Sequence, residues 1–389
     1  MRTKPFLFFL VSAVTACAGF AAWQGCGIYT TGLLLPGDAA KVVDETSPDS
    51  GDGCQHARWP ARPATDDPGG GNFAFWNALD SVDFGVRDGG KPPVMGFDLD
   101  SVCTCQGSPP APESCKVGPT AKQHCDDPGG IDNQGESLIV AFSNYSGFFD
   151  QGFINNRIAN GFYGAMIRIR SYNGLANDTQ VEVSVYTSNG TVGVEKGFPA
   201  QPNHDGKDMW TLDPNSLLGG FIPDGGEPIP NGAVDPNAYV SGNILVASLD
   251  VPLAVGAGNG EGTVTIDLNN SVIIGKLVAD KGAFRIDNGL ISGRWNARKM
   301  LTGLKALYDP LDNTQHLCGN DPVYQGLKQI ICKYPDVTGN LQQDGKNAPC
   351  DSISIGFAYS SSPAKIGPTF ARPDSGQPCG AQWDDNCPQ

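Results

Sequence analysis

The residues best suited to chemistry are the five aspartates and four cysteines of residues 96–135. Asp98 and Asp100 alternate with apolar neighbours as in a strand, so both carboxylates lie on one face. Asp126, Asp127, Asp132 and Asn133 follow a proline-rich spacer. Because Ca²⁺ prefers carboxylate and carbonyl oxygens, we interpret these six residues as a candidate calcium site, with calcium as the candidate cofactor.

Two other interpretations of this stretch compete with calcium. Turn aspartates commonly cap their own backbone in solvent, and the sequence has no complete EF-hand pattern. A zinc site would use Cys103, Cys105, Cys115, His124 and Cys125, but their spacings differ from the usual C-x2-C pairs. We therefore expect disulfides, which suit an oxidising compartment.

The other cysteines fit the same expectation. Cys103 and Cys105 share a face of an extended segment, so each should have its own partner. Cys318 and Cys332 bracket a predicted helix and should pair with each other or pin that helix to the sheet. Cys379 and Cys387 should close a loop near the terminus. The predicted disulfide cysteines are Cys54, Cys103, Cys105, Cys115, Cys125, Cys318, Cys332, Cys350, Cys379 and Cys387.

The N-terminus has the pattern of an export signal. Two bases precede an apolar run at residues 6–16. Cys17 ends a lipobox-like tetrapeptide, and Cys26 ends a second, poorer match. Lipid on Cys26 would leave an even number of cysteines for disulfides, so both remain candidates for lipidation. A cleaved signal without lipid is the third possibility. We predict a signal peptide at residues 1–25 and a flexible acidic tether at 26–53.

The net charge of the chain limits the classes of binding partner that we expect. The formal net charge of −15 argues against nucleic acid, which requires clustered Lys and Arg. The expected partners are the membrane, reached through the N-terminal lipid, and a glycan or another envelope protein.

The downstream sequence is typical of antiparallel β-structure. Apolar or alternating segments recur between turn signals such as Asn-Gly and Asp-Gly. They lie at residues 138–142, 163–169, 180–186, 242–249, 263–268, 272–279, 283–291 and 351–360. We expect a mainly β fold, an antiparallel two-sheet sandwich with long loops, cross-linked by disulfides.

Two short C-terminal helices are predicted at residues 297–308 and 322–334, where apolar residues repeat at helical spacing. The expected division of the chain is a Cys- and Asp-rich lead-in at 54–135, packed on a sandwich domain at 136–389.

The longest interruption of the β pattern, residues 197–238, is predicted to be a decorated loop, where binding sites are common. Trp210 is the best candidate there for an exposed ring that stacks on a sugar, with Asp205 and Asp208 beside it.

Little in the sequence points to catalysis. Four histidines lie in loop-like contexts, and no zinc-protease, nucleophile-elbow or phosphate-loop motif occurs. We expect a binding or structural module rather than an enzyme. The alternative is an exported hydrolase acting on polysaccharide, which needs a pair of facing carboxylates.

One ordered set of motifs carries a family resemblance. It comprises residues 288–294 (NGLISGR), Leu317-Cys318, Ile331-Cys332, residues 350–357 (CDSISIGF) and residues 363–367 (PAKIG). This order, with the acidic lead-in, resembles a group of uncharacterised exported lipoproteins of Gram-negative bacteria. The resemblance implies a location in the cell envelope, anchored by lipid to the outer membrane or exposed at the surface. It implies no activity and no site residue.

Overall fold

The computed structural model describes residues 55–86, 94–107, 110–146, 150–193, 200–256, 263–280, 282–309, 312–371, 379 and 384–388. The predicted signal peptide and tether lie outside these residues, as do both lipidation candidates, Cys17 and Cys26. Cys54 also lies outside them.

Eight strands form one antiparallel sheet that closes into a barrel, in the order β1-β11-β8-β7-β6-β5-β3-β2. Their bounds are β1 Phe73–Asp83, β2 Gly164–Tyr172, β3 Asp178–Ser188, β5 Val234–Ser241, β6 Ile244–Gly256, β7 Thr263–Asp280, β8 Ala283–Asn296 and β11 Ser352–Pro363. Two small sheets pair β4 (Met209–Leu212) with β12 (Lys365–Thr369) and β9 (Tyr308–Asp309) with β10 (Asp312–His316).

The expected two-sheet sandwich is therefore wrong, although the mainly β class is confirmed. Alternating polarity reports only that one face of a strand is buried, and a barrel and a sandwich meet that condition equally. The segments 263–268 and 272–279 form a single strand, β7, whose pairing with β8 shifts between Asn269 and Val272. Such irregularities bend a strand and help a sheet to close.

Four α-helices occur within the described residues: α1 Gly135–Ser146, α2 Gln151–Ala159, α3 Ala297–Leu304 and α4 Pro322–Ile331. The strand expected at 138–142 is wrong, because this stretch belongs to α1. A short apolar run does not distinguish a buried strand from a buried helix. None of the described helices has both the length and the apolar character needed to span a membrane.

The two faces of the sheet carry separate cores. Ile167 and Ile169 of β2 belong to the main core, together with helix residues such as Leu138 and Met300. Met166, one residue before Ile167, points to the opposite face and packs with Tyr186 and Trp210. The loop that contains Trp210 therefore covers the outer face of β2 and β3.

The acidic segment packs on another part of the outer face. Met95 and Phe97 are buried in a third cluster with Leu290 of β8 and Ala358 of β11. Gly356 of β11 makes this approach possible, since a Cβ there would lie 2.5 Å from the Met95 carbonyl oxygen. The apolar residues that alternate with Asp98 and Asp100 thus fix these carboxylates over the barrel wall.

Disulfides connect both the acidic segment and the C-terminal tail to other parts of the fold. The pairs are Cys105–Cys125, Cys115–Cys350, Cys318–Cys379 and Cys332–Cys387. Cys103 is also disulfide-bonded, and its partner lies outside the described residues. As predicted, Cys103 and Cys105 do not pair with each other. The expected pairing of Cys318 with Cys332 and the loop closed by Cys379 and Cys387 are wrong, because the tail folds back onto α4.

Asp385 fastens this tail between α3 and α4. Its carboxylate accepts hydrogen bonds from Tyr324 Oη at 2.6 Å and Lys305 Nζ at 2.6 Å. We expect Asp385→Asn to lower the free energy of unfolding by about 2 kcal/mol, because the half-buried Lys305 loses its counter-ion. Urea unfolding would measure this loss, with the exposed Asp384→Asn as the control. Equal effects of both substitutions would contradict the assignment.

Candidate functional site

The structure brings three aspartates of the predicted site together. Carboxylate oxygens of Asp98, Asp100 and Asp132 lie within 4.8 Å of one another. All three residues are buried, with exposed fractions of 0%, 7% and 2%. Buried carboxylates this close to one another repel, so the arrangement calls for a compensating charge or for protons.

Backbone N–H groups hold these carboxylates in place. Val102 N donates to Asp100 Oδ1 at 2.8 Å, and Leu99 N donates to Asp132 Oδ2 at 2.7 Å. Ser101 N donates to Asp98 Oδ1 at 2.6 Å. The short turn after Asp98 therefore fixes one oxygen of each side chain and orients the other.

Two further carboxylates belong to the same electrostatic group. Asp126 accepts a hydrogen bond from Thr104 N at 2.6 Å, and Asp100 is the strongest charged neighbour affecting it. Asp336, far away in sequence, accepts one from Ser354 N at 2.8 Å and also interacts with Asp100. We call Asp98, Asp100, Asp126, Asp132 and Asp336 the acidic cluster. No local pattern in the sequence marks Asp336 as a member.

Burial makes this cluster hard to ionise. Desolvation, with repulsion from Asp98 and Asp344, raises the pKa of Asp100 to about 6. Desolvation and Asp100 together raise the pKa of Asp126 to about 8. Burial raises the pKa of Asp336 to about 7 and the pKa of Asp132 well above its ordinary value. Near neutral pH, burial therefore favours the protonated form of these carboxyl groups.

Few positive charges face this cluster. His56 Nδ1 contacts Asp98 Oδ2, and Arg58 Nη2 lies 3.7 Å from the same oxygen. Burial still raises the pKa of Asp98 despite both neighbours. Arg294, the nearest buried base on β8, is bound to Asp344. The cluster thus has a surplus of negative charge within the described residues.

Ser114 adds a neutral oxygen to the site. This residue is 1% exposed, and its Oγ lacks a hydrogen-bond partner of good geometry. It nevertheless lies close enough to Asp100 to favour the ionised carboxylate. Ser114 Oγ is therefore a buried neutral oxygen beside Asp100.

The backbone of Gly130 approaches this site closely. Its φ of +67° favours glycine, and a Cβ there would lie 2.7 Å from Cys103 Sγ and 3.2 Å from Asp98 Oδ2. Cys103 Sγ also lies near His56 and Asp98, but a disulfide-bonded sulfur is not a thiolate ligand. Apart from the ring nitrogen of His56, the available donor atoms are therefore hard oxygens.

The remaining predicted metal ligands have other contacts. Asn133 Nδ2 donates to the carbonyls of Met95 and Gly356, while its Oδ1 accepts from Gly135 N and Gly356 N. Asn133 thus attaches the acidic segment to β11 and α1. Asp127 forms a backbone bridge with Ile131, which closes the turn that leads to Asp132.

The predicted ligand-binding group is not an exposed platform. Trp210 is 1% exposed and packs against the barrel wall, so its assignment as a stacking ring is wrong. Asp208 accepts hydrogen bonds from the backbone of Asn203 and His204. Asp205 accepts one from Lys207 N. Both aspartates shape the loop itself.

Comparison of the chain with protein-family models, with curated proteins and with solved structures finds no match.

Proposed function

We propose that this protein is a lipid-anchored component of the bacterial cell envelope, a binding or structural module in which the acidic cluster holds Ca²⁺. The observation that carries the calcium proposal is the convergence of buried oxygens from Asp98, Asp100 and Asp132 within 4.8 Å. The export signal, the lipobox-like cysteines and the resemblance to exported lipoproteins support the location.

The chemistry of the donor atoms favours calcium. Oxygens that lie within 4.8 Å of one another can bind one Ca²⁺ ion, because each Ca–O distance is about 2.4 Å. The donors are carboxylates and a hydroxyl, and they come from loops that disulfides cross-link. Mg²⁺ demands a stricter octahedron and keeps more of its water, so it fits this buried group less well.

Thermal unfolding of the oxidised protein, with calcium and after its removal, tests the proposal. At a calcium concentration 100 times the Kd, binding to the folded state stabilises it by about 2.7 kcal/mol. This amounts to a rise of several degrees in Tm for a domain of this size. An identical transition in both conditions would contradict the proposal.

The effect expected of Asp132→Asn on stability differs between the calcium-free protein and the protein with calcium. Without calcium the variant should be at least as stable as the wild type, because a buried charge is removed while an oxygen remains to accept the Leu99 N–H. With calcium its Tm should not rise. Asp66 is an exposed aspartate outside the acidic cluster, so Asp66→Asn is the control and should keep the full calcium response.

The alternative, an exported hydrolase of polysaccharide, has weaker support. The acidic cluster is buried, whereas a glycosidase needs two carboxylates that reach the substrate. A polar cleft of about 310 Å³ does contain Asp213, Asp250 and Asp267. However, Asp267 is paired with Lys299, and Asp213 binds Asn215 N and Asn189 Nδ2. These aspartates are already committed to structural contacts.

A further inference from the structure

A cleft with a volume of about 560 Å³ lies where α3 begins, between the segment around Lys116 and the C-terminal tail. Its size falls in the range of about 300–1,000 Å³ that is usual for small-molecule sites. Its lining includes Lys116, Arg298, Lys299 and Asp351. The acidic cluster does not line it.

Covalent links fix the walls of this cleft. Cys350 on one wall is joined to Cys115, next to Lys116. Cys332 and Cys387, both in the lining, form a second disulfide that holds the tail against α4. Since the walls are already ordered, little conformational entropy is lost when a ligand enters.

The charge of the cleft is opposite to that of the chain. It contains three basic side chains and one carboxylate, whereas the protein carries a net charge of −15. Asp351 accepts a hydrogen bond from Gly339 N at 2.6 Å, and Lys299 Nζ lies 2.6 Å from Asp267. The exposed Lys116 and Arg298 therefore dominate, with Asp384 as a distant neighbour of Arg298.

Helix α3 supplies an independent observation. A helix N-terminus carries a partial positive charge and normally attracts acidic residues. The first turn of α3 contains no acid and includes Arg298 and Lys299 instead. Basic side chains at this end of a helix are unfavourable because they oppose the helix dipole. Residues that depart from a local preference in this way are typical of functional sites.

We propose that this cleft binds a small oxyanionic ligand, carrying a carboxylate or a phosphate group, between Lys116 and Arg298. The proposal rests on the binding role proposed above and identifies the surface that serves it. The partial positive charge at the start of α3 adds to the attraction of the two side chains. The backbone N–H groups of Arg298 and Lys299 themselves donate to Asn296 Oδ1, so the ligand is bound by the side chains and not by these N–H groups.

Isothermal titration of the full mature protein with succinate and, separately, with inorganic phosphate tests this. We expect saturable binding of at least one anion, weakened at least tenfold by the double substitution Lys116→Ala and Arg298→Ala. Binding of succinate alone would identify a carboxylate ligand, and binding of phosphate alone a phosphate ligand. Lys116→Arg should retain binding, and Lys365→Ala, an exposed lysine elsewhere, should leave it unchanged.

Two results would overturn the proposal. One is the absence of saturable binding of either anion by the wild type. The other is equal weakening by Lys365→Ala, which would indicate general charge attraction. Titrations run in calcium-free HEPES, because phosphate and Ca²⁺ form an insoluble salt. The thermal response to calcium is measured on the same variants in separate samples without phosphate. If calcium raises the Tm normally but no anion binds, only the proposal for the cleft is rejected. If an anion binds but calcium does not raise the Tm, only the proposal for the calcium site is rejected.

Discussion

Replacing Arg294 by methionine is expected to lower the free energy of unfolding by about 3–5 kcal/mol, the range for breaking a buried ion pair. Arg294 lies on β8 and is fully buried. Its guanidinium binds both oxygens of Asp344, at 2.9 and 2.7 Å, and donates to the carbonyls of Leu99 and Thr338. Methionine fills a similar volume but removes the counter-ion of Asp344, which, within the described residues, keeps only the hydrogen bond from Thr338 Oγ1 at 2.7 Å. It also removes the guanidinium donor from two carbonyls.

Urea unfolding of the oxidised protein measures this effect, and two variants calibrate it. Arg294→Met combined with Asp344→Leu should recover a large part of the lost stability, because no uncompensated charge remains. Arg285 makes a similar two-bond contact with Asp287 on the surface. Its replacement by methionine should cost less than about 1 kcal/mol. Equal losses for Arg294→Met and Arg285→Met would show that burial of the pair contributes nothing.

The second large effect concerns pH. With calcium removed, stability should fall as pH rises from about 4 to about 8, the interval between the ordinary Asp value and the raised pKa of Asp126. A raised pKa in the folded state means that folding favours the protonated group. Its contribution is therefore complete at low pH and is lost as pH passes the folded-state value. Asp100, with a pKa of about 6, titrates within this interval together with its acidic neighbours.

Calcium should remove most of this pH dependence. The ion binds the ionised carboxylates, so the increase in Tm that it causes should be small at pH 5 and largest at pH 8. Thermal unfolding across this range, with and without calcium, measures the difference. Asp132→Asn should flatten the profile of the calcium-free protein, and Asp66→Asn should not. Parallel profiles in the two conditions would show that protons, rather than calcium, neutralise the cluster.

Part of the acidic cluster could be predicted from the sequence. The alternating pattern around Asp98 and Asp100 predicts a strand with both carboxylates on one face, whereas the structure has a turn at residues 99–101. The two carboxylates nevertheless lie close together, with Asp132. Asp336 was missed because its proximity depends on where the segment after α4 meets β11, and no local pattern encodes that. Asn133 has an oxygen suitable for a metal, but backbone groups occupy it.

For the fold, too, local sequence patterns do not show which segments come into contact. The alternation at residues 180–186 correctly predicts a strand, but it does not show whether the sheet closes. Trp210, in a loop rich in proline and acids, was expected to be exposed. Its burial follows from the apolar outer face of β2 and β3, which the loop covers. Whether an aromatic side chain in a loop faces solvent depends on this tertiary contact.

The position of β11 has a consequence for biogenesis. This strand, Ser352–Pro363, lies between β1 and β8, so the sheet cannot close before almost the whole chain has been synthesised. Until then β1 and β8 each present an unpaired edge, and such edges promote aggregation. Closure of the barrel and formation of the Cys115–Cys350 disulfide both require residues 350–363, and they therefore occur late in synthesis. Translation that stops before residue 352 would yield an open sheet, which is a substrate for proteases and chaperones.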